Sequence, residues 1–140
     1  MKPMMMIAAG LLVAACGGSK ADGQVGTAHK VDTASAEFRE ARALTTMRND
    51  LRNLVAAEEA YFADHGKYTA NLEAIILAGK VEQFGDRFPT PGNSTPHITL
   101  VGGGFTATIQ NPNTRKVCAI FVGTKTPIPP ATIEGSPACG

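Results

Sequence analysis

Apolar residues recur along this chain with two different periods, and the change between them marks out its elements. From Leu44 to Phe62 the step is three and four residues, through Leu44, Met47, Leu51, Leu54, Val55, Tyr61 and Phe62. Arg42, Arg48, Asp50, Arg52, Asn53, Glu58 and Glu59 mostly fall between them and read as the solvent face. That periodicity predicts one long amphipathic helix. Ser35, or Thr33 just upstream, is its cap, and Glu37 sits in the first turn, where the helix dipole favours an anion. Gly66 is its stop. Tyr68 to Asn71 reads as a turn and cap, followed by a short helix over 72–77 that Gly79 closes. The stretch 83–96, punctuated by Pro89, Pro91, Gly92 and Asn93, reads as loop.

From His97 the pattern becomes that of strands. Residues 97–101 and 105–109 are rich in β-branched and aromatic side chains, and Gly102-Gly103-Gly104 joins them as a hairpin. Asn111-Pro112-Asn113 is the next turn, and 117–122 is a third strand. Pro127, Pro129, Pro130 and Pro137 exclude a central strand from the residues after Gly123. The expected class is α+β: one long N-terminal amphipathic helix packed on an antiparallel sheet of three to four strands, with a short second helix between.

The first residues follow neither period. Lys2 precedes an apolar run, Met4 to Ala15, which ends in Leu11-Leu12-Val13-Ala14-Ala15-Cys16. Roughly a dozen apolar residues are too few to span a bilayer, and the layout is that of an export signal. A cysteine straight after Val-Ala-Ala resembles the bacterial lipobox. The resemblance implies that Cys16 is acylated and becomes the first residue of the mature protein. By the same analogy Gly17, rather than an aspartate, favours transit to an outer membrane where the cell has one. The expected organisation is a lipoprotein signal peptide over 1–15, a lipid-anchored flexible linker over 16–34 and a folded domain over 35–140. The linker reading rests on Gly, Ser, Ala, Lys and Asp without apolar periodicity.

Charge adds mainly exclusions. With 13 Lys and Arg against 12 Asp and Glu, unclustered, the chain lacks the basic face that nucleic-acid binding needs. Membrane attachment would fall to the lipid. With Cys16 taken by lipid, Cys118 and Cys139 are the remaining thiols of an exported chain, and a structural disulfide is the expected outcome. It would close a loop of about 20 residues and contribute roughly 3 kcal/mol. A redox pair would want Cys-x-x-Cys, and a metal site more ligands than two sulfurs. His29, His65 and His97 lie far apart, and adjacent Glu58 and Glu59 diverge on a helix. Gly66-Lys67 lacks the rest of a phosphate loop, and no Gly-x-Ser-x-Gly elbow occurs. Asn93-Ser94-Thr95 matches a glycosylation sequon and reads as chance in a bacterial protein. The expectation is a non-enzymatic chain with no cofactor and no metal.

The string Asp50-Leu51-Arg52-Asn53-Leu54-Val55-Ala56-Ala57-Glu58-Glu59-Ala60-Tyr61-Phe62-Ala63-Asp64-His65-Gly66-Lys67-Tyr68-Thr69 resembles type IV pilins and type II secretion pseudopilins. It looks like the C-terminal half of their long helix and the Gly-x-Tyr-Thr turn after it. The likeness extends in outline over 36–140 and is specific over 50–69, with Asp50, Leu51, Arg52, Leu54, Glu59, Tyr61, Phe62, Gly66 and Tyr68 carrying it. It implies a pilin-like head, a terminal loop closed by a Cys118–Cys139 disulfide, and partners in pilus or secretion machinery. The chain departs from the family at its start. It lacks the peptidase site followed by Phe-Thr-Leu and a glutamate, and the transmembrane stretch running into the helix. A lipid-anchored ligand- or surface-binding domain unrelated to filaments is the alternative.

Overall fold

The computed structural model describes residues 26–78 and 87–140, with side chains from Thr33 onward. The predicted signal peptide, Cys16, the first part of the linker, Gly79 and residues 83–86 lie outside the described residues. Helix α1 spans Gly26–His65, 40 residues, and α2 spans Leu72–Ala78. Four strands follow: β1 His97–Val101, β2 Gly104–Ile109, β3 Cys118–Val122 and β4 Ala138–Cys139. They form one antiparallel meander in the order β1-β2-β3-β4. The α+β class, the long helix, the short helix and the fourth strand are therefore as the sequence pattern predicts.

The helix starts upstream of the predicted Thr33/Ser35 cap, so the described part of the predicted linker is its first turns. No proline interrupts 26–34, and alanine and lysine there favour continuation. Its far end follows the prediction: Gly66 takes φ +67° and its N–H donates to the Phe62 carbonyl at 2.7 Å. A left-handed residue after the last turn is the usual helix stop. Asn71 then caps α2, its Oδ1 accepting from the Ala74 N–H at 3.2 Å.

Among the described side chains of α1, burial begins at Ala43. Met47, Leu51, Leu54 and Ala57 are buried against Ile98, Phe105, Ala107, Ile109, Cys118 and Ile120 of the sheet and Ile75 of α2, and Ala43 one turn earlier is buried too. From Thr33 to Arg42 no side chain is buried, and Phe38 is 70% exposed. At 1.5 Å per residue, α1 runs for about 60 Å, and the arm preceding Ala43 for about 25 Å of that.

The sheet has a second covered face. Ala119 and Phe121, alternating with Cys118 and Ile120, turn away from α1 and are covered by Ile128, Ala131 and Ala138 of the last segment. That proline-rich segment is tied down twice more. The Gly123 N–H donates to Glu134 Oε1 at 2.6 Å, and the Gly135 N–H to the Phe121 carbonyl at 2.9 Å.

The Cys118–Cys139 disulfide is present, its Cα atoms 4.0 Å apart. Val117 and Gly140 exchange both backbone hydrogen bonds, which makes Cys118 and Cys139 the neighbouring non-hydrogen-bonded pair. Such pairs bring Cα atoms closest across an antiparallel ladder, within reach of a bridge.

Candidate functional site

The residues of the pilin-like string part company in space. Leu51 and Leu54 are core. Arg52 is exposed and donates to Asn49 Oδ1 at 3.2 Å, one turn back. Glu59, Phe62, Gly66 and Tyr68 build the turn. The Tyr68 hydroxyl donates to Glu59 Oε1 at 2.8 Å, and its ring stands edge-on to Phe105 with centroids 5.2 Å apart, flanked by Phe62 at 4.8 Å. Burial, and then the hydrogen bond to Glu59, push the Tyr68 phenol up to about 12. Tyr61 stacks on His65 at 4.0 Å, and His65 Nδ1 donates to the Tyr61 carbonyl at 2.9 Å.

Two carboxylates that the pattern assigns to the solvent face are buried. Asp50 is 2% exposed and Glu58 is fully buried. The correction follows from helical phase: 47, 50, 51, 54, 57 and 58 share one stripe, which points at the sheet. Each carboxylate is tolerated because backbone from elsewhere comes to meet it. One Glu58 oxygen accepts from the Thr69 N–H at 3.2 Å, and Oε1 has no partner. Burial, reinforced by the neighbouring Glu59 charge and partly offset by Thr69, raises its carboxyl to about 7.

Asp50 is better served. Its Oδ2 accepts from the Thr90 N–H at 2.8 Å and from Asn93 Nδ2 at 2.7 Å, and its Oδ1 from the Thr90 hydroxyl at 2.6 Å. The network continues outward. Asn93 Oδ1 accepts from Asn111 Nδ2 at 2.7 Å, with the Thr46 hydroxyl, which donates to the Ala43 carbonyl at 3.0 Å, lying 3.3 Å away. Asn111 Oδ1 in turn accepts from the Asn113 N–H at 2.9 Å. One helix residue thereby fixes two loops, 87–96 and 110–117, against each other. Ser94 and Gln110 stitch the same loops together, the Ser94 N–H donating to the Gln110 carbonyl at 2.8 Å and the Gln110 N–H to Ser94 Oγ at 3.0 Å.

Between those loops lies an open groove of about 490 Å³. Asn93, Ser94, Gln110, Asn111, Arg115 and Lys116 are among the residues that line it. Lys116 Nζ pairs with Glu40 Oε1 of the helix arm at 3.1 Å, and the Thr114 hydroxyl donates to the same oxygen at 3.1 Å. Those two hydrogen bonds, Lys116 first, hold the Glu40 carboxyl below its ordinary value. A smaller recess of about 290 Å³ lies at the opposite end of the head, between Tyr68, Leu100 and the Gly102–Gly104 turn.

No protein family, curated protein or solved structure matches this chain. Among the described residues no group of three or more His, Cys, Asp and Glu side chains is placed to hold a metal ion. No helix of the described residues is long and apolar enough to cross a membrane.

Sequence reasoning singled out Asp50 only through the pilin-like likeness, and missed Thr90, Asn93 and Asn111 as its partners. The available signal was phase: a carboxylate between Met47, Leu51 and Leu54 demands buried donors, and Asn93 and Asn111 are turn residues able to supply or relay them.

Proposed function

We propose that the chain is a non-enzymatic, pilin-like envelope lipoprotein, anchored through Cys16, whose head is a structural or interaction module working with type IV pilus or type II secretion-like machinery. The observation that carries this reading is the order and form of the elements. A long helix packs its second half on the sheet. A turn through Gly66 and Tyr68 follows, then a short helix and an antiparallel meander, whose last strand is closed by a disulfide. The arm of α1 supports an assembly role through Phe38, 70% exposed, since a large apolar side chain open to solvent is a natural contact for a partner.

Two measurements test the reading. The intact mass of the membrane-extracted protein should show acyl chains on Cys16 as the first residue. Cross-linking in cells followed by pull-down should recover pilus or secretion components. Recovery of bulk lipoproteins alone would reject the machinery association.

A further inference from the structure

We propose that the groove between loops 87–96 and 110–117 binds an acidic saccharide, a hydroxylated ring bearing an anionic group, by way of Arg115 and the amide-rich floor. The inference goes beyond an assembly role and does not depend on it.

The first argument is the floor. Burying a charged aspartate in a small core is unfavourable compared with apolar packing of the same volume, so such networks serve to specify geometry where they persist. Here the network running from Asp50 through Asn93 to Asn111 ends at the groove. Asn111, which lines it, is itself only 6% exposed. Asn93 and Asn111 are thus held in place by a hydrogen-bond network that reaches the core, a fixed part of the floor that a ligand need not order. Gly92 adds to this fit, because a Cβ there would press on Asn111 Nδ2 at 3.3 Å.

The second argument is the balance of donors and acceptors left over. The carbonyl oxygen of Asn111 accepts twice and that of Asn93 accepts from Asn111, whereas each amide nitrogen donates only once and keeps a second hydrogen. Ser94 Oγ accepts from Gln110, leaving its own hydrogen to donate. The Gln110 side chain and the Arg115 guanidinium are exposed and have no partner among the described residues. Lys116 is satisfied by Glu40 through one oxygen and keeps hydrogens in reserve. Among the described residues no carboxylate lines the groove. A surface so biased towards donors, with a planar guanidinium in its lining, matches a ligand rich in acceptors and carrying an anion.

The third argument separates a saccharide from an acidic peptide. The Gln110 N–H and carbonyl are both taken up by Ser94, and those of Val117 by Gly140, so the strand-end backbone at the groove is not left open for an extended peptide to pair with. Side-chain pockets are absent too, because Pro112 and Val117 are the only larger apolar residues in the described lining. Hydroxyls of a sugar ring fit the amides of Asn93, Gln110 and Asn111 instead. With no aromatic ring in that lining to stack on, affinity should be in the millimolar range.

The test is backbone-amide NMR of the full-length, isotope-labelled chain titrated with glucuronate, glucose, acetate and a pentaglutamate peptide. Glucuronate is expected to give saturable shifts confined to residues 92–94 and 110–117. Both glucose and acetate should bind about tenfold more weakly, since each lacks half of the recognised chemistry. Arg115→Ala should weaken glucuronate by about tenfold and leave the amide spectrum of α1 unchanged, so loss of fold is distinguishable from loss of the site. Lys125→Ala, outside the groove, should bind glucuronate normally. Absence of saturable shifts overturns the proposal. So does an acetate affinity equal to that of glucuronate, which would leave a mere counter-ion site, or a pentaglutamate affinity above it, which would make the groove a peptide site.

Discussion

Asp50 and Glu58 are two carboxylates on one stripe of one helix, and their surroundings give them opposite characters. Asp50 accepts three hydrogen bonds, all from loop 90–93. Asp50→Ala strands those donors and should destabilise the fold by about 2–4 kcal/mol. Asp50→Asn can turn its carbonyl oxygen to the Thr90 N–H and Asn93 Nδ2, leaving its amide to donate to the Thr90 hydroxyl. It should cost only roughly 1 kcal/mol. Urea unfolding of both variants checks this, and equal losses would mean that the network is not the one described. Glu58 has one oxygen unpartnered and a carboxyl raised to about 7 from 4.5. The folded state then holds its proton more tightly than the unfolded state. Stability is therefore full below about pH 4.5, falls as pH rises through about 7 and levels off above, by of order 3 kcal/mol in total. Glu58→Gln should remove that slope and be the more stable protein at pH 8, as thermal melts across pH would show. The sequence pattern put both carboxylates on the solvent face, although their helical phase, in line with Met47, Leu51 and Leu54, is the core's. What the sequence hid was the donors, because Thr69 and Thr90 reach the helix through tertiary contacts that no local pattern encodes.

At the scale of elements, local chemistry explains why the turns were readable. Gly102 and Gly103 both take positive φ, +57° and +93°, as a two-residue hairpin requires, so a run of three glycines between β-rich segments has one reading. The third, Gly104, is held to glycine for a different reason. A side chain there would collide with the Val122 carbonyl and the Gly123 backbone. That close approach between neighbouring strands is invisible in a single sequence. The start of α1 was equally hidden, since helix propensity without burial leaves no periodic mark. It follows that the two halves of α1 differ in stability although they form one helix. Amides of 33–42 should exchange hydrogen orders of magnitude faster than those of 47–58. Hydrogen-exchange mass spectrometry checks this directly; uniform protection along α1 would mean that the arm is covered by a partner already in solution.

For the molecule as a whole, the terminal segment closes on the sheet through a disulfide and a second, smaller apolar cluster. The disulfide joins residues 21 apart, and Cys118 lies in the main core while Ala119 beside it holds the tail on the opposite face. Cys118→Ser should lower stability by about 3 kcal/mol and Tm by about 10–20 °C. Cys139→Ser should do much the same. The double variant should be little worse than either, because the pair is one interaction. Additive losses would show that the cysteines contribute as separate packing groups. The pairing and the meander were legible from the count of cysteines and the spacing of strand-rich runs. The groove was not, since its lining comes from two loops whose mutual position is fixed through Asp50, 40 positions before Thr90.

The arm of α1 that precedes Ala43 has a geometric consequence of its own. A helix is a ruler and also a screw: each residue advances it by 1.5 Å and turns it by 100°. Whatever grips the arm near Gly26 therefore meets the head at a set height and a set azimuth, with its groove facing one direction. Inserting seven residues into the exposed turns would raise the head by about 10 Å while nearly preserving its heading. Inserting two would scarcely change the height but swing the groove more than halfway to the opposite side.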